Sequence, residues 1–538
     1  MRQGRFVGLL LALLLLGLFV VPSSTASEPP DITGFDPTSG PVGTVVAISG
    51  AALSGTTDIQ FNGTSAPFTV ASDSEVDATV PDGATTGPIT VITPDGSATS
   101  ADPFTVTRPN IVLILTDDQT FEELGHMPTV DSELVGKGVS FPNGFVVNPL
   151  CCPSRTTILT GKYSHGTDVY FNSPPHGGFA TFGSQDSSTI ATWLHDAGYR
   201  TALVGKYLNG YNKSHVSYVP PGWDTWDALA SVDYYGYKMS INGTLVSFGT
   251  SEADYQTDVL ARYARDFINS VPADQPLFLD FAPHAPHGPA TPPVRYRDSL
   301  KDLPLYRPPN YNEADMSDKP AWAQKLPLMS ETEQATRDAF RLRQFQSLLA
   351  VDDAVRDILD ALEATGRLAE TLIVFSSDNG LSNGSHRWEP KLVPWEESIR
   401  VPLIVRYDPL TKGTATTNQG LALNLDFAPT FAGAAGVESP GVEGTSLLPL
   451  LGLNPPPWRD DFLIEHWGGR KVPAYCGVRT TQYKYVRYDS GEEELYDLNA
   501  DPYELQSKAL DDAYEAIKTQ LHSRLVELCS PPPPGYTP

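Results

Sequence analysis

Basic side chains are scarce in this sequence of 538 residues. It contains 37 Lys and Arg against 64 Asp and Glu, which gives a formal net charge of −27 at pH 7. Proteins that bind nucleic acids contact phosphates through clustered Lys and Arg, so the composition excludes that class. It also disfavours a broad groove for long polyanionic chains. Any anionic substrate must be held by a few well-placed cations against the background field.

Long hydrophobic runs are absent after the first segment of the chain. The run from Phe6 to Val21 is almost wholly apolar, follows two arginines, and precedes the small residues Ser24, Thr25 and Ala26. This arrangement is typical of a secretory signal peptide, and no later run approaches the ~20 residues that span a bilayer. We therefore predict a signal peptide over residues 1–27, a secreted, extracellular protein, and no membrane span.

Cysteine is also scarce, with four residues in the whole chain. Cys151 and Cys152 are adjacent, whereas Cys476 and Cys529 both lie near the C-terminus. Exported proteins commonly contain disulfides. The simplest assignment is one disulfide between Cys476 and Cys529, with the adjacent pair serving another purpose.

Residues 28–107 differ in composition from the rest, because Lys and Arg are missing until Arg108. Short strand-like runs separated by Gly-containing turns predict a small β-sandwich. The segments Ile32–Thr44 and Pro103–Val106 resemble the opening and the end of IPT/TIG immunoglobulin-like modules. The resemblance implies a spacer or a carbohydrate-contacting accessory domain rather than a catalytic one.

After Arg108 the pattern becomes that of an α/β protein. Asn110–Leu115 is a continuous apolar run, which is typical of a strand buried on both faces of a parallel sheet. Leu372–Phe375 and Leu403–Val405 predict further buried strands, and Asp338–Gly366 predicts a helix before the first of these two. We therefore expect a mixed or parallel central sheet flanked by helices over residues 108–457.

Residues 458–538 predict a small α+β subdomain with a tail. Tyr483–Tyr488 reads as a strand, and apolar residues from Leu510 to Leu528 form one stripe of a helix. We expect the acidic run Glu492–Glu494 to be solvated. The prolines from Pro531 onward end the helix, and we expect the tail that follows to be disordered.

Acidic residues follow two of the buried strands. Asp117 and Asp118 come after the first strand, and Asp378 and Asn379 after the second. The carboxyl ends of strands in open α/β sheets face the ligand crevice, so these groups should form an oxygen cage for Ca²⁺ or Mg²⁺. Helix capping is the alternative role for each strand alone. Two strands that end the same way favour the metal.

A reactive group is predicted at the segment that begins with Cys151. Pro153 suits the first turn of a helix, which places Cys151 near free backbone amides, and Arg155 adds a fixed positive charge. This pattern indicates an activated nucleophile beside an anion site, and a disulfide-bonded cysteine is the alternative. The C-x-P-S-R pattern, followed by Thr-Gly-Lys, resembles the modification motif of the sulfatase family. The resemblance implies that a formylglycine-generating enzyme converts Cys151 to formylglycine before export, and that Cys152 holds the variable position.

Later segments resemble further elements of the same family, and they follow one another in the family's order along the chain. Gly-Lys-Tyr around Lys206, Ala-Pro-His-Gly-Pro around His287, and Lys391 followed by Trp-Glu match family elements. The Tyr-Leu-Asn version after Lys206 looks closest to N-acetylglucosamine-6-sulfatases, although Leu208 replaces a histidine found in many sulfatases. His284 lies off the motif and reads as a loop residue. The resemblance implies two sets of site residues: catalytic Cys151, Arg155, Lys206, His287 and Lys391, and metal-binding Asp117, Asp118, Cys151, Asp378 and Asn379.

The resemblance implies an exported sulfatase of the alkaline-phosphatase superfamily. Its substrate would be a sulfated sugar such as N-acetylglucosamine 6-sulfate, or an aryl sulfate, attacked by the hydrate of formylglycine beside one divalent cation. Ca²⁺ is the expected ion and Mg²⁺ the alternative. A phosphodiesterase or phosphonate monoester hydrolase of the same superfamily is a second hypothesis, but dianionic phosphoryl groups favour two metals and one cage is evident. A non-catalytic surface-binding protein is a third, and it conflicts with the presence of every matched position except Leu208.

Overall fold

The computed structural model describes residue 1 and residues 28–183, 185–452, 455–469 and 471–538. The predicted signal peptide, apart from its first residue, lies outside the described residues. In the part of the chain that is described, no helix combines the length and the apolar character needed to cross a membrane.

The N-terminal part of the structure is a β-sandwich, as predicted. Two sheets with the strand orders β1-β3-β7-β6 and β2-β9-β8-β4-β5 enclose an apolar core in which the rings of Phe61 and Phe104 meet edge to face at 5.2 Å. All strand pairs are antiparallel except β2 with β9. The strands are β1 (Asp31–Asp36), β2 (Ser39–Gly40), β3 (Val45–Ala51), β4 (Asp58–Phe61), β5 (Thr64–Ser65), β6 (Phe68–Ser72), β7 (Glu75–Thr79), β8 (Gly87–Thr93) and β9 (Gly96–Val106).

A mixed central sheet forms the middle of the molecule. Its order among the described residues is β16-β15-β14-β13-β17-β10-β18-β19-β11-β20, and the strands from β14 to β18 in this order run parallel. The strands of this part are β10 (Asn110–Thr116), β11 (Val139–Ser140), β12 (Gly144–Phe145), β13 (Arg200–Gly205), β14 (Thr225–Leu229), β15 (Lys238–Ile241), β16 (Thr244–Ser247), β17 (Leu277–Ala282), β18 (Thr371–Ser377), β19 (Leu403–Arg406), β20 (Thr416–Thr417) and β21 (Ala422–Leu423), of which β12 and β21 pair separately.

The predicted strand at Asn110–Leu115 is confirmed as β10, and both of its faces are buried. Leu113 packs into one apolar core and its neighbour Ile114 into another, because successive side chains of a strand point to opposite faces. The helices that cover the two faces and join the strands are α1 (Cys151–Thr160), α2 (Ser164–Thr167), α3 (Gly178–Phe182), α4 (Ile190–Asp196), α5 (Gln256–Ser270), α6 (Ala321–Gln324), α7 (Glu331–Ala364), α8 (Glu396–Ile399), α9 (Asp408–Thr411) and α10 (Phe427–Ala435).

Helix α7 begins earlier than the predicted start at Asp338. Ser330 precedes the helix, its Oγ accepts a hydrogen bond from the Glu333 N–H, and the Glu333 carboxylate accepts one from the Ser330 N–H. This reciprocal capping satisfies amides of the first turn. The polar turns before Asp338 are therefore helical although they carry little apolar pattern.

The C-terminal part is an antiparallel sheet with one long helix. Its elements are β22 (Asp461–His466), β23 (Tyr475–Thr480), β24 (Tyr483–Tyr488), β25 (Glu493–Asp497) and α11 (Glu515–Leu528). The predicted disulfide between Cys476 and Cys529 is present and joins β23 to the end of α11. Leu510 is 97% exposed and precedes the helix, so its assignment to the apolar stripe was wrong.

Two further predictions for this part were wrong. Glu494 is fully buried rather than solvated, and its carboxylate accepts hydrogen bonds from Tyr488 Oη at 2.5 Å and Tyr496 Oη at 2.6 Å. The tail is ordered rather than disordered, because Tyr536 is buried and its hydroxyl donates to the Arg487 carbonyl at 3.0 Å. The contact of Tyr536 joins two segments 49 residues apart, whose proximity the local sequence pattern does not reveal.

Candidate active site

The carboxyl ends of four neighbouring parallel strands carry the predicted site residues. In the sheet the strands lie in the order β13, β17, β10 and β18, and Thr116 at the end of β10 pairs with Ser377 at the end of β18. One group of residues follows each strand end: Lys206 after β13, His284 and His287 after β17, Asp117 and Asp118 after β10, and Asp378 and Asn379 after β18. Parallel register therefore brings residues from distant parts of the sequence to one edge of the sheet.

Helix α1 brings Cys151 to this edge. Arg155, one turn along the helix, fixes its orientation, because its Nε donates to Asp378 Oδ2 at 2.8 Å and its Nη1 to the Lys206 carbonyl at 2.9 Å. Cys151 and Cys152 are both buried free thiols. The alternative role of Cys151 as a disulfide partner is therefore excluded.

The surroundings of Cys151 combine positive charge with deep burial. Lys391 Nζ lies 2.8 Å from its Sγ, and Asp117 Oδ1 lies 3.7 Å from it. Burial nevertheless raises the pKa of Cys151 above its ordinary value, and the nearby lysines offset only part of this effect. A protonated thiol is a weak nucleophile. The unmodified Cys151 side chain is therefore a buried and weakly nucleophilic thiol.

Three buried carboxylates in the site differ in their electrostatic environment. Burial acts to raise the pKa of Asp117, but the contacting Lys206 ammonium, together with Arg155 and the two neighbouring histidines, outweighs it and holds this pKa well below the usual range. Burial also acts to raise the pKa of Asp118, but the contacting Lys391 ammonium and His287 together lower it. Burial and the charge of Asp117 raise the pKa of Asp378 in spite of its bond to Arg155. Each of the three carboxylates therefore contacts a buried cation, and among them only Asp378 has a raised pKa.

The donor set fits a hard divalent cation. Single ligand atoms of Asp117, Asp118, Cys151 and His287 all lie within 4.8 Å of one another. Asn379 donates from Nδ2 to Asp118 Oδ1 at 2.6 Å, while its buried Oδ1 has no hydrogen-bond partner among the described residues. Carboxylate and amide oxygens are the ligands that Ca²⁺ and Mg²⁺ prefer. An unpartnered buried oxygen beside the carboxylates is an acceptor that such a cation would satisfy.

His284 lies in the active site, although its position outside the family motif predicted a loop residue without a role there. It is 1% exposed, its Nδ1 lies 3.1 Å from Asp117 Oδ2, and its ring centroid is 4.5 Å from that of His287. Burial lowers the pKa of His284 to about 4, so the ring is neutral at physiological pH. Two histidines three residues apart, directly after a buried strand, were the signal that could have identified it.

Two other histidines near the motifs lie outside this site. His165 lies between Glu465 and Glu443, with nitrogen–oxygen distances of 3.1 and 3.3 Å. His386 is fully buried against Glu313 and the ring of Trp395. Neither belongs to the cluster around Cys151. His287, in contrast, has a side chain that is 32% exposed, and its Nε2 lies 3.6 Å from Asp118 Oδ2.

Comparison with known proteins identifies the family. A model of the family described as Sulfatase matches residues 109–437, which is more than half of the chain. The chain belongs to the sulfatase family. This sulfatase also matches the model described as N-sulphoglucosamine sulphohydrolase, C-terminal, over residues 384–530 and that of the IPT/TIG domain over residues 30–107.

Curated relatives agree with this assignment. The chain is 34% identical to the N-acetylglucosamine-6-sulfatase of Homo sapiens over 476 residues, which cover 79% of this chain and 85% of the relative. It is also 34% identical to the putative extracellular sulfatase Sulf-1 homolog of Caenorhabditis elegans over 410 residues, 73% of this chain. The sulfatase described here spans only 57% of the length of that homolog, and 34% of the extracellular sulfatase SULF-1 homolog of Drosophila melanogaster.

Solved structures share the fold. BT4656, solved in complex with its substrate D-glucosamine-2-N,6-O-disulfate, superposes with a TM-score of 0.68 at 26% identity, covering 79% of this chain and 99% of that one. The phosphonate monoester hydrolase of Agrobacterium radiobacter has a TM-score of 0.64 at 23% identity, covering 79% and 96%. The fold alone therefore does not distinguish a sulfate ester from a phosphonate ester.

Proposed function

We propose that this sulfatase is secreted and hydrolyses sulfate esters of small sugars, such as N-acetylglucosamine 6-sulfate, or of phenols. The observation that carries the proposal is the position of Cys151 at the start of α1, in contact with Lys391 and beside the buried carboxylates. The names of the relatives support the sugar: one hydrolyses N-acetylglucosamine sulfates by its name, and another was solved with a sulfated glucosamine.

The proposed reaction requires two groups besides the twenty standard side chains, namely formylglycine and a divalent cation. Formylglycine at position 151 would supply, as its hydrate, a hydroxyl nucleophile for attack on the sulfur of the ester. Asp117, Asp118, Asp378 and Asn379, with the modified residue 151, would hold one Ca²⁺ ion, with Mg²⁺ as the alternative, which supplies positive charge for the oxygens of the sulfate group. The raised pKa of the unmodified Cys151 thiol supports the need for the modification, since the thiol itself is a weak nucleophile.

Three cationic side chains would bind the sulfate group. Lys391 contacts Cys151 directly, Lys206 contacts Asp117, and Arg155 is held by Asp378. Burial acts to lower the pKa of Lys391, but Asp118 and the other acidic groups raise it well above the ordinary value, so the ammonium stays charged. Fixed charges in a buried site stabilise negative charge that develops in the transition state, and a single donor of this kind contributes about 10²–10³-fold.

We assign His287 to proton donation toward the departing alcohol oxygen. Its side chain is partly exposed, unlike those of the lysines, and so reaches the side from which a substrate enters. Tyr234 fixes the loop that carries it, because the Tyr234 hydroxyl donates to the His287 carbonyl at 2.8 Å. General acid catalysis of this sort typically contributes 10²–10⁴-fold. Lys391, whose pKa is raised, is the poorer donor.

The remaining parts of the chain have proposed roles as well. We propose a signal peptide over residues 1–27, an IPT/TIG-like module over 28–107, a catalytic domain over 108–457 and a C-terminal subdomain and tail over 458–538. The module joins β10 at the Asn110 end, whereas the site lies beyond Thr116 at the other end of that strand. This arrangement supports a spacer or accessory role for the module.

A paired assay tests the proposed reaction. The purified protein is given a sulfate monoester and a phosphodiester of the same phenol, and we expect the sulfate ester to be hydrolysed faster. Mass spectrometry of the tryptic peptide that contains Cys151 should show a loss of about 18 mass units, as expected for conversion of Cys to formylglycine. Faster hydrolysis of the phosphodiester would favour the phosphonate hydrolase hypothesis instead, and a fully unmodified peptide from the native host would contradict the mechanism.

A further inference from the structure

A second group of metal-binding side chains lies outside the active site. Single ligand atoms of His386, Glu397 and Glu504 lie within 4.8 Å of one another, and we call these three residues the His386 cluster. His386 and Glu504 are buried, and Glu397 is partly buried. The cluster shares no residue with the site around Cys151. It joins the loop after β18, the start of α8 and the loop after β25.

The histidine of this cluster is oriented as metal-binding histidines are. Its Nδ1 lies 2.6 Å from Glu313 Oε2, so the Nδ1 hydrogen is donated to a carboxylate and Nε2 keeps its lone pair. Asn310 Nδ2, a donor, lies 3.1 Å from Nε2, which agrees with this tautomer. A carboxylate that orients a histidine for a metal in this way is a recurrent feature of metal sites.

The amide of Asn310 lies between two members of the cluster. Its Nδ2 contacts His386 Nε2 and also donates to Glu397 Oε1 at 2.6 Å. Its Oδ1 is buried and has no hydrogen-bond partner in the described parts of the chain, and the same holds for Glu397 Oε2. A half-turn of the amide exchanges its oxygen and nitrogen. That turn would present a fourth ligand atom to an ion held by the cluster.

Negative charge around the cluster is incompletely balanced. Glu504 contacts the Lys484 ammonium, which also lies 3.2 Å from Glu396 Oε1, and Glu396 pairs in addition with Arg479. Glu397 pairs with no cation among the described residues, and its buried Oε2 accepts no hydrogen bond. Charged carboxylates are costly to bury unless cations or metals pair with them. A divalent cation would supply the missing charge.

An ion could reach the cluster from solvent. A cavity of about 160 Å³ beside the cluster is lined by Glu397 together with Glu396, Glu122 and Arg400. The cluster therefore has an entry path, which a metal site requires.

We propose that His386, Glu397 and Glu504, with the amide of Asn310, bind a second divalent cation that fixes the C-terminal part of the chain to the catalytic part. One imidazole with three oxygen ligands suits a four-coordinate Zn²⁺ ion, whereas Ca²⁺ takes six to eight oxygens. The ion has a structural role, since it binds segments on both sides of the boundary near residue 458 and lies outside the site around Cys151.

Zinc binding to the full chain tests this proposal. In a Cys151→Ala background, which removes the thiol ligand of the active site, the protein is stripped with a chelator, incubated with Zn²⁺, and passed through a desalting column. Elemental analysis then gives the zinc bound per chain. We expect Glu504→Gln and Glu397→Gln each to lower this number by one, and Glu122→Gln, which lies in the same cavity but outside the cluster, to leave it unchanged.

Two measurements keep the test decisive if one variant folds poorly. Circular dichroism identifies unfolded variants. If Glu504→Gln is unfolded, Glu397→Gln takes its place, because Glu397 is partly exposed. Zn²⁺ should also raise the melting temperature of the background protein more than that of Glu397→Gln, because a ligand bound only to the native state stabilises it. The proposal is overturned if the background protein, Glu397→Gln and Glu122→Gln bind equal amounts of zinc. It is also overturned if X-ray absorption spectra show no imidazole ligand for the ion that the background protein binds and Glu397→Gln does not.

Discussion

Lys391 Nζ lies 2.8 Å from Cys151 Sγ, although the two residues are 240 positions apart in the sequence. The same ammonium contacts Asp118, so it connects the residue at the start of α1 with a carboxylate at the end of β10. The Lys206 ammonium contacts Asp117, the neighbouring carboxylate. Each lysine therefore neutralises one carboxylate and also adds positive charge at the place where an anionic substrate group would bind.

The first prediction separates the two adjacent cysteines. Cys151→Ala should abolish sulfate ester hydrolysis, because the proposed nucleophile is formed from this residue alone. Cys152→Ala should retain most of the activity and lose about 1 kcal/mol of stability, as small deletions in a packed core do. Initial rates on an aryl sulfate and urea unfolding measure the two effects. An inactive Cys152→Ala with an active Cys151→Ala would shift the assignment by one position.

The second prediction concerns His284, whose role was missed in the sequence. His284→Gln should lower kcat about 10–100-fold, as loss of a group that orients a metal ligand typically does, because Asp117 loses a hydrogen-bond partner. His195→Gln is the control, since its side chain is 47% exposed and lies away from the cluster. Comparable kcat values for the two variants would show that His284 is only a packing residue.

The third prediction concerns the cation of the active site. Chelation should lower both activity and melting temperature, and Ca²⁺ should restore them, because an ion bound only to the native state stabilises it. Asp118→Asn should show neither response to Ca²⁺, since it removes one of the carboxylates. Calorimetry with and without Ca²⁺ measures the shift. A restored melting temperature in Asp118→Asn would place the Ca²⁺ at a different site.

Local sequence patterns predict the positions of several site residues. Asp117, Asp118 and Asp378 follow apolar runs that form neighbouring parallel strands, and Pro153 marks the start of α1, so their position follows from rules for strands and helices. His284 follows a buried strand in the same way, but the motif drew attention to His287 instead. The structure brings every predicted site residue to one edge of the sheet.

Contacts between distant segments could not be predicted in this way. Glu494 looks solvated in the run of three glutamates, yet in the core the indole N–H of the distant Trp395 donates to its carboxylate at 3.3 Å. The tail looks disordered by composition, yet Tyr536 packs onto the C-terminal sheet. Burial of these groups depends on which strands become neighbours, and the local pattern does not contain that information.

The fourth prediction is a pH dependence of stability at His165. Burial alone would lower the pKa of His165, but its hydrogen bonds to Glu443 and Glu465 raise it from 6.5 to about 10. The folded state therefore holds this proton more tightly than the unfolded state. The stabilisation is fully present below pH 6.5 and is lost as the pH rises toward 10. The difference in unfolding free energy between wild type and His165→Gln, measured by urea unfolding, should shrink across this range, and a difference that grows with pH would contradict the assignment.

The last prediction concerns the size of the substrate. The chain carries a net charge of −27, and two of the cations that could form a basic surface beside Lys162 and Arg297 are already engaged: Lys206 is 6% exposed, and Arg295 pairs with Asp258 and Asp353. A long sulfated polymer should therefore be repelled, whereas a monosaccharide 6-sulfate carries too little charge for repulsion to matter. Repulsion acts over the Debye length, which is about 30 Å at 0.01 M salt and about 8 Å at 0.15 M. We expect the ratio of kcat/KM for the monosaccharide to that for heparan sulfate to exceed one and to be larger at low salt. Both substrates are assayed by sulfate release at the two salt concentrations, and faster cleavage of the polymer at low salt would show that a basic surface guides it to the site.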